Sequence, residues 1–272
     1  MIAWKCPVCG DTLRDCRGSW RCSAGHSFDT SKYGYVNLLM SNKSSKKRHG
    51  DDRAMVLARS AFLEKGYYSC LRDCLCRTAL EYSGKSADIL DAGCGEGWYS
   101  AGVRSCLEER GVCVSMAGID ISREALRVSS RRGGMQLAVS GVSALPVGDG
   151  SCDIVMNIFA PHDDGEFLRV LRRGGVLIKA APLERHLFGL KRAVYDEPYE
   201  NPAPDYCPEG FEMLAREEVR AQLHLASPED IRALFMMTPY YYKTSERDQQ
   251  KLFSLEALDT ELEFAVIVLK KR

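Results

Sequence analysis

The sequence predicts an α/β fold, a parallel sheet with helices on both faces, preceded by a small metal-bound module. Three observations carry this. Cys6-Pro7-Val8-Cys9 and Cys22-Ser23-Ala24-Gly25-His26 place two pairs of metal-ligand residues on two short turns. An apolar stretch over 87–92 runs into Gly93-Cys94-Gly95-Glu96-Gly97 and then into a helical pattern from Trp98. Strand and helix patterns go on alternating as far as about residue 181.

The first module spans residues 1–37. Two residues separate Cys6 from Cys9, twelve separate Cys9 from Cys22, and three separate Cys22 from His26. This is the ligand spacing of a structural zinc site, three thiolates and one imidazole in a tetrahedron. Four protein ligands leave no open position, so the ion is structural and not catalytic. A segment this short buries too little core to fold alone, and the metal supplies folding energy on the order of 10 kcal/mol. Phe28, Tyr33 and Tyr35 are expected to pack on the zinc site or on the main domain. Cys16 breaks the paired spacing and is left out of the ligand set.

Residues 38–67 read as a basic linker followed by a helix. Lys43, Lys46, Lys47, Arg48 and His49 fall in a polar stretch without periodicity. Met55, Leu57, Ala58, Ala61 and Phe62, then Leu71, Leu75 and Leu80, recur at helical spacing, with Gly66 as the break.

The main domain covers 68–272. Strands are expected at 87–92, 112–119, 137–139, 153–159, 176–181 and 264–269. Helices are expected from Trp98 to about Glu109, from the Ser122 cap to about Arg132, over 164–172, and from Ser227-Pro228-Glu229-Asp230 onward. Gly174-Gly175 reads as the stop of the 164–172 helix. Residues 182–210 hold five prolines and are expected to be a loop-rich lid over the substrate. Cys70, Cys74 and Cys76 match no cluster motif and read as buried reduced thiols.

Bulk numbers bound the rest. A 272-residue chain with 45% hydrophobic and 27% charged residues is ordinary for a soluble protein of one large and one small domain. No apolar run reaches membrane-spanning length, and the first residues lack the apolar core of an export signal. Twelve cysteines in that setting point to a reducing compartment, so a cytoplasmic protein is expected. Formal net charge is zero, but residues 1–60 carry 11 Lys and Arg against 5 Asp and Glu. A basic front on an acidic body suggests that the front meets a polyanion, RNA in particular.

The glycine loop carries the chemistry. A dinucleotide fingerprint needs Gly-x-Gly-x-x-Gly, and Trp98 stands where its third glycine belongs. Asp120 follows Gly95 by 25 residues, at the end of the next strand. A carboxylate placed to hold a ribose, with a loop able to carry an amino-acid tail, suits S-adenosylmethionine. With Gly118-Ile119-Asp120-Ile121-Ser122 and Leu171-Arg172-Arg173-Gly174-Gly175-Val176 in place, residues 68–272 resemble the class I S-adenosylmethionine-dependent methyltransferases, a Rossmann-like fold.

Nearly the full length is similar to a narrower family. Cys6-Pro7-x-Cys9, Cys22-x3-His26, Phe28-Asp29, Tyr33-Gly34-Tyr35-Val36-Asn37-Leu38-Leu39 and the Asp91 to Gly97 motif come first. Ala160-Pro161, Arg185-His186-Leu187 and Met237-Thr238-Pro239 follow. This resembles the bacterial 23S rRNA (guanine-N1)-methyltransferases. The resemblance implies zinc on Cys6, Cys9, Cys22 and His26. It implies S-adenosylmethionine contacts from Tyr68, from Asp91, Gly93, Cys94, Gly95, Glu96 and Gly97, from Asp120 and from His186. It implies a 23S rRNA hairpin as the partner. The sequence does not decide the oligomeric state; a homodimer whose two basic zinc modules grip one RNA is an attractive hypothesis. Arg173 replaces a proline common before the glycine pair, and Ser140-Gly141 replaces an acidic adenine contact.

Guanine N1 carries a proton and is a poor nucleophile until that proton leaves. Asn157 is a candidate donor to the base edge, and Asp163 or Asp164 a candidate proton acceptor, with Asp164 read first as a helix N-cap. His186 is a candidate base as well as a cofactor contact. Tyr240, Tyr241, Tyr242, Phe159 and Trp98 are candidate stacking partners or core residues. Two other readings stay open: a small-molecule methyltransferase with the zinc module as scaffold, and a non-catalytic RNA-binding protein of the same fold.

Overall fold

The computed structural model describes residues 2–40, 50–204 and 206–272. The basic segment with Lys43, Lys46, Lys47, Arg48 and His49 lies outside the described residues. The chain opens with a three-stranded antiparallel sheet, β1 (Arg14–Asp15), β2 (Ser19–Arg21) and β3 (Ser27–Asp29). Next come β4 (Val36–Asn37), α1 (Arg53–Glu64), α2 (Ser69–Tyr82), β5 (Ser86–Ala92), α3 (Trp98–Glu109) and β6 (Cys113–Asp120). Then follow α4 (Arg123–Ser129), β7 (Gln136–Val139), β8 (Cys152–Ile158), α5 (Asp164–Val170) and β9 (Leu171–Pro182). The last part holds α6 (Phe188–Val194), β10 (Phe211–Leu225), α7 (Pro228–Met236), α8 (Glu246–Phe253) and β11 (Leu258–Lys271).

Eight strands form one mixed sheet in the order β10-β11-β9-β8-β5-β6-β7-β4. Neighbours from β9 to β4 are parallel, whereas β11 runs antiparallel to both β9 and β10. The chain moves outward from β5 through β6 and β7, then returns to the other side of β5 as β8. That reversal opens a crevice beyond the carboxyl ends of β5 and β8, the place where such sheets bind ligands. Along β5 the pleat sends Ile89 into one core layer and Leu90 into the other. Helices α1, α4 and α5 start where Asp52, Ser122 and Asp163 accept hydrogen bonds from the backbone N–H groups of Met55, Ala125 and Glu166.

The zinc-binding segment is not a separate bead. Ile2, Trp4, Leu13, Val36 and Leu38 are buried in the same cluster as Leu90, Val147 and Phe167. Trp4 bridges Val147, the Lys5 N–H donates to Pro146 O at 2.8 Å, and β4 extends the large sheet by pairing with β7. Phe28 packs on this shared core. Tyr35 packs instead beside Cys94 and Leu126, and Tyr33 stacks on Tyr35.

Several expectations need correction. The sheet is mixed because β10 and β11 pair antiparallel over fourteen registered positions, and β10 has no counterpart in the sequence reading. The 164–172 helix ends at Val170, where Leu171 turns extended, so Gly174-Gly175 lies in an irregular strand and stops nothing. A Cβ on Gly175 would stand 3.0 Å from the carbonyl oxygens of Arg172 and Asp153, which explains glycine there. Within 182–210 a helix forms, α6. The segment after it is pinned, because the buried Lys191 ammonium donates to Tyr199 O at 2.9 Å and Asn201 Oδ1 at 2.7 Å.

Candidate active site and metal centre

Each ligand pair sits on a turn that ends in a glycine or passes through one. Gly10 N–H donates to Cys6 O at 2.8 Å and Gly25 N–H to Cys22 O at 3.1 Å, closing a tight turn after each first cysteine. The sulfurs of Cys6, Cys9 and Cys22 and a ring nitrogen of His26 all lie within 4.8 Å of one another. Cys9 Sγ stands 3.6 Å from Cys22 Sγ, and His26 Nδ1 stands 3.6 Å from Cys6 Sγ and 3.3 Å from Cys22 Sγ. With Zn–S near ~2.3 Å and Zn–N near ~2.0 Å, a tetrahedron has edges of about 3.5–3.8 Å. The four residues fit one structural zinc. Cys16 is exposed with its sulfur toward Arg14 O, away from the ligands.

The crevice beside β5 gathers the glycine loop, Asp91 and Asp120. Gly93 and Cys94 donate to Ile119 O at 3.0 and 2.9 Å, which ties the loop to β6. Asp120 accepts from Gly95 N–H at 2.9 Å and Ser122 N–H at 2.7 Å, and each oxygen keeps a lone pair for a ligand. Ser100 donates to Asp91 Oδ2 at 2.5 Å, while the buried Asp91 Oδ1 has no partner. Burial pushes the Asp91 carboxyl up to about 7. It also raises Glu96 and Asp120 above the ordinary carboxylate range. A buried orphan oxygen at the end of β5, beside two further carboxylates that burial raises, calls for a cationic or hydrogen-donating ligand. S-adenosylmethionine, with its ammonium, sulfonium and ribose hydroxyls, has that donor set. Ser140 is committed elsewhere, its hydroxyl donating to Ala144 O at 3.1 Å.

Tyr68, at the start of α2, meets His186 across the cleft at 3.4 Å, and both rings pack on Phe264. His186 Nδ1 accepts from Glu263 N–H at 3.2 Å, so the neutral ring carries its proton on Nε2 and points it at Tyr68 Oη. Burial pulls the imidazole down to about 3. This geometry corrects the reading of His186 as a base: one nitrogen is occupied by the backbone and the other is already protonated. Charging the ring disfavours the fold. Stability is therefore complete above the ordinary histidine value of about 6.5 and falls as pH drops toward 3, by about 1.4 kcal/mol per pH unit. Unfolding by denaturant at pH 7 and pH 5 checks this. A His186→Gln variant should lose that slope, and a wild-type stability that does not change between these pH values would refute neutral burial.

The other two catalytic candidates are also engaged. Asn157 is buried, its amide donating to Ala92 O at 3.0 Å and Pro161 O at 2.9 Å. It therefore has no N–H left for a base edge, and Lys179 approaches its Oδ1 at 3.4 Å. Asp163 is the cap of α5, the role expected of Asp164, because the extended backbone of residue 163 leaves Asp164 inside the first turn. Asp164 instead accepts from the Tyr206 hydroxyl. Trp98 is core, under the Arg72 guanidinium at 4.6 Å. Phe159 is different. It adopts φ 53°, stays 44% exposed, and leans on Tyr99 and Phe264 at the crevice rim.

Sequence reasoning passed over Arg59. It sits one turn from buried Met55 and one from Phe62, on the apolar stripe of α1. A cation on a buried stripe was the available signal. Its guanidinium pairs with Asp51 at 2.5 Å, and burial working against its charge is outweighed by the carboxylates of Asp51, Glu96 and Asp120.

Known proteins add to this geometry. The zinc-ribbon family described as "RlmA, N-terminal" matches residues 4–46, which contain all four zinc ligands. A family described as "Methyltransferase domain" matches 89–175, from β5 through α5 into β9. The 23S rRNA (guanine(748)-N(1))-methyltransferase of Streptomyces fradiae is 34% identical over 231 residues, 81% of this chain and 79% of its own. The chain belongs to the 23S rRNA (guanine-N1)-methyltransferase family. A putative member from Bacillus subtilis (strain 168), YxjB, is 29% identical over 97% of this chain and 96% of its own length. Another putative member, from Micromonospora griseorubida, is 33% identical over 68% of each. In this member of the family the zinc ribbon and the class I methyltransferase fold share one sheet and one core layer.

Proposed function

We propose that this protein transfers the methyl group of S-adenosylmethionine to N1 of a guanine in 23S rRNA. The observation that carries the reading is the acidic cradle of Asp91, Glu96 and Asp120 around a glycine loop, on the same sheet as a zinc ribbon. When bound, S-adenosylmethionine supplies an electrophilic methyl on a positively charged sulfur. Asp91 Oδ1 takes its ammonium, Asp120 its ribose, and the backbone of Gly93, Cys94, Gly95 and Gly97 its tail, with Glu96 adding negative potential. Tyr68 is held by His186 and faces the same cleft. Excluding water and aligning the guanine in line with the methyl is the rest of the work.

Phe159 supplies the stacking face for the guanine. A base must leave its helix or lie in a loop to reach such a pocket, which fits a hairpin substrate. A basic face leads toward the crevice. Lys32 lies 5.2 Å and Arg127 4.8 Å from the Tyr33 ring centre, and Arg53, Arg127 and Arg131, with Glu124 among them, line a hollow beside α1 and α4. Gly97 of the cofactor loop touches Ser129 at the end of α4. A track of cations from the zinc ribbon to the loop suits an RNA backbone. Among the described residues no helix is long and apolar enough to cross a membrane.

The test is transfer of labelled methyl from S-adenosylmethionine to protein-free 23S rRNA, followed by nuclease digestion and mass spectrometry of the nucleosides. The expected product is 1-methylguanosine. A methylated nucleoside of another kind, or label only on small molecules, would overturn the reading.

A further inference from the structure

The cradle just described has an unsolved electrostatic problem. It places three carboxylates, Asp91, Glu96 and Asp120, around a ligand whose methionine tail ends in a carboxylate of its own. His186 is neutral, Lys191 is spent on Tyr199 and Asn201, and Arg132 is drawn to Glu64 and to the backbone of Glu96. Arg59 is the cation placed to answer this. A Cβ built on Gly95 would stand 3.8 Å from Arg59 Nη1, so the guanidinium lies directly over the loop.

We propose that Arg59 binds the carboxylate of S-adenosylmethionine, so that helix α1, which lies between the two segments that the family models match, completes the cofactor site. This rests on the cofactor reading above. A guanidinium has five N–H donors in a planar fork suited to carboxylates. Two are engaged, Nη1 with Asp51 and Nη2 with Met237 O at 3.4 Å. The donors left over supply the carboxylate. Asp51 holds the fork in place, and its own backbone is fixed by Ser122 Oγ, which donates to Asp51 O at 2.8 Å. Ser122 also caps α4 next to Asp120. Ribose and carboxylate ends of one ligand are thereby held by groups joined through Ser122. Docking of α1 and binding of cofactor then favour each other.

The experiment is calorimetric titration of the full chain with two probes, S-adenosylmethionine and its decarboxylated form, which lacks only the carboxylate. Arg59→Met should weaken the first by about tenfold to a hundredfold, the range of a charge-assisted hydrogen bond, and change the second less than twofold. Arg59→Lys keeps the charge but not the fork and should fall between. It serves as the second variant if Arg59→Met unfolds. Equal losses for both probes would reduce Arg59 to a structural prop and overturn the proposal, as would no loss for either. If the wild type binds neither probe, the cofactor reading itself fails and takes this one with it.

Discussion

Gly93→Val should abolish S-adenosylmethionine binding, with affinity falling at least about a hundredfold, the effect of moving a binding loop by roughly 1 Å. The cause is local. Gly93 has φ +93°, which a β-branched residue adopts only under strain, and a Cβ there would stand 2.4 Å from the Cβ of Ala160. The loop after β5 and the loop after β8 would have to separate, and that contact forms the floor of the crevice. Melting temperature should drop while helix and strand content by circular dichroism stay. Gly95→Ala separates the two effects, because its Cβ meets only Arg59 and nothing of the scaffold. Its φ of +55° costs an alanine about 1 kcal/mol, so it should melt only a few degrees below the wild type, far less than Gly93→Val, and still bind cofactor more weakly. Unchanged calorimetric affinity in Gly93→Val would remove the assigned site.

The second large effect comes from the metal. Chelating zinc, or changing Cys22 to Ser, should lower the melting temperature by more than about 10 °C and stop methylation of RNA. Zinc contributes on the order of 10 kcal/mol in modules of this kind, and each kcal/mol is worth about 2–4 °C in a chain of this size. Cys6 and Cys22 are themselves buried in the layer shared with Leu90 and Phe167, so loss of the ion loosens that layer as well as the ribbon. Cofactor affinity should change less, because Asp91 and Asp120 lie on β5 and β6, with β7 between them and β4, and the first module meets the glycine loop through Tyr35 beside Cys94, away from the four ligands. Differential scanning calorimetry with and without chelator, beside a cofactor titration, checks both halves. A melt indifferent to chelator would mean that the four ligands hold no structural ion.

What the sequence made legible was set by neighbours in the chain. The four zinc ligands fall in two pairs within five residues each, and β5, its glycine loop and α3 follow one another without a gap. What it hid depends on distant partners. β10 reads FEMLAREEVRAQLHL, mostly exposed along its first half, and no apolar alternation announces it; its backbone pairing with β11 makes it a strand. β4 has two residues and exists because β7 is there to receive it. The switch between Asp163 and Asp164 is a single step in backbone angle, which side-chain chemistry does not reveal. Arg59 acquires its surroundings from Glu96 and Asp120, brought near it only by folding. The engagement of Asn157 and His186 by backbone groups of Pro161 and Glu263 is likewise invisible before the loops are placed.

The joint between β4 and β7 bears on how a nucleotide is chosen. A recognition module on a flexible tether would sweep a range of positions, and the target would have to be selected by its own chemistry. Here β4 adds a stave to the large sheet and the ribbon's apolar residues share its core, so the span from the ribbon to the crevice is set by packing. If the ribbon grips the RNA, as the proposed function has it, the base is presented at a set distance from the grip. On that proposal the enzyme works as a calliper: lengthening or shortening a hairpin substrate by one base pair should move methylation to another guanine or silence it, even when the original nucleotide keeps its neighbours.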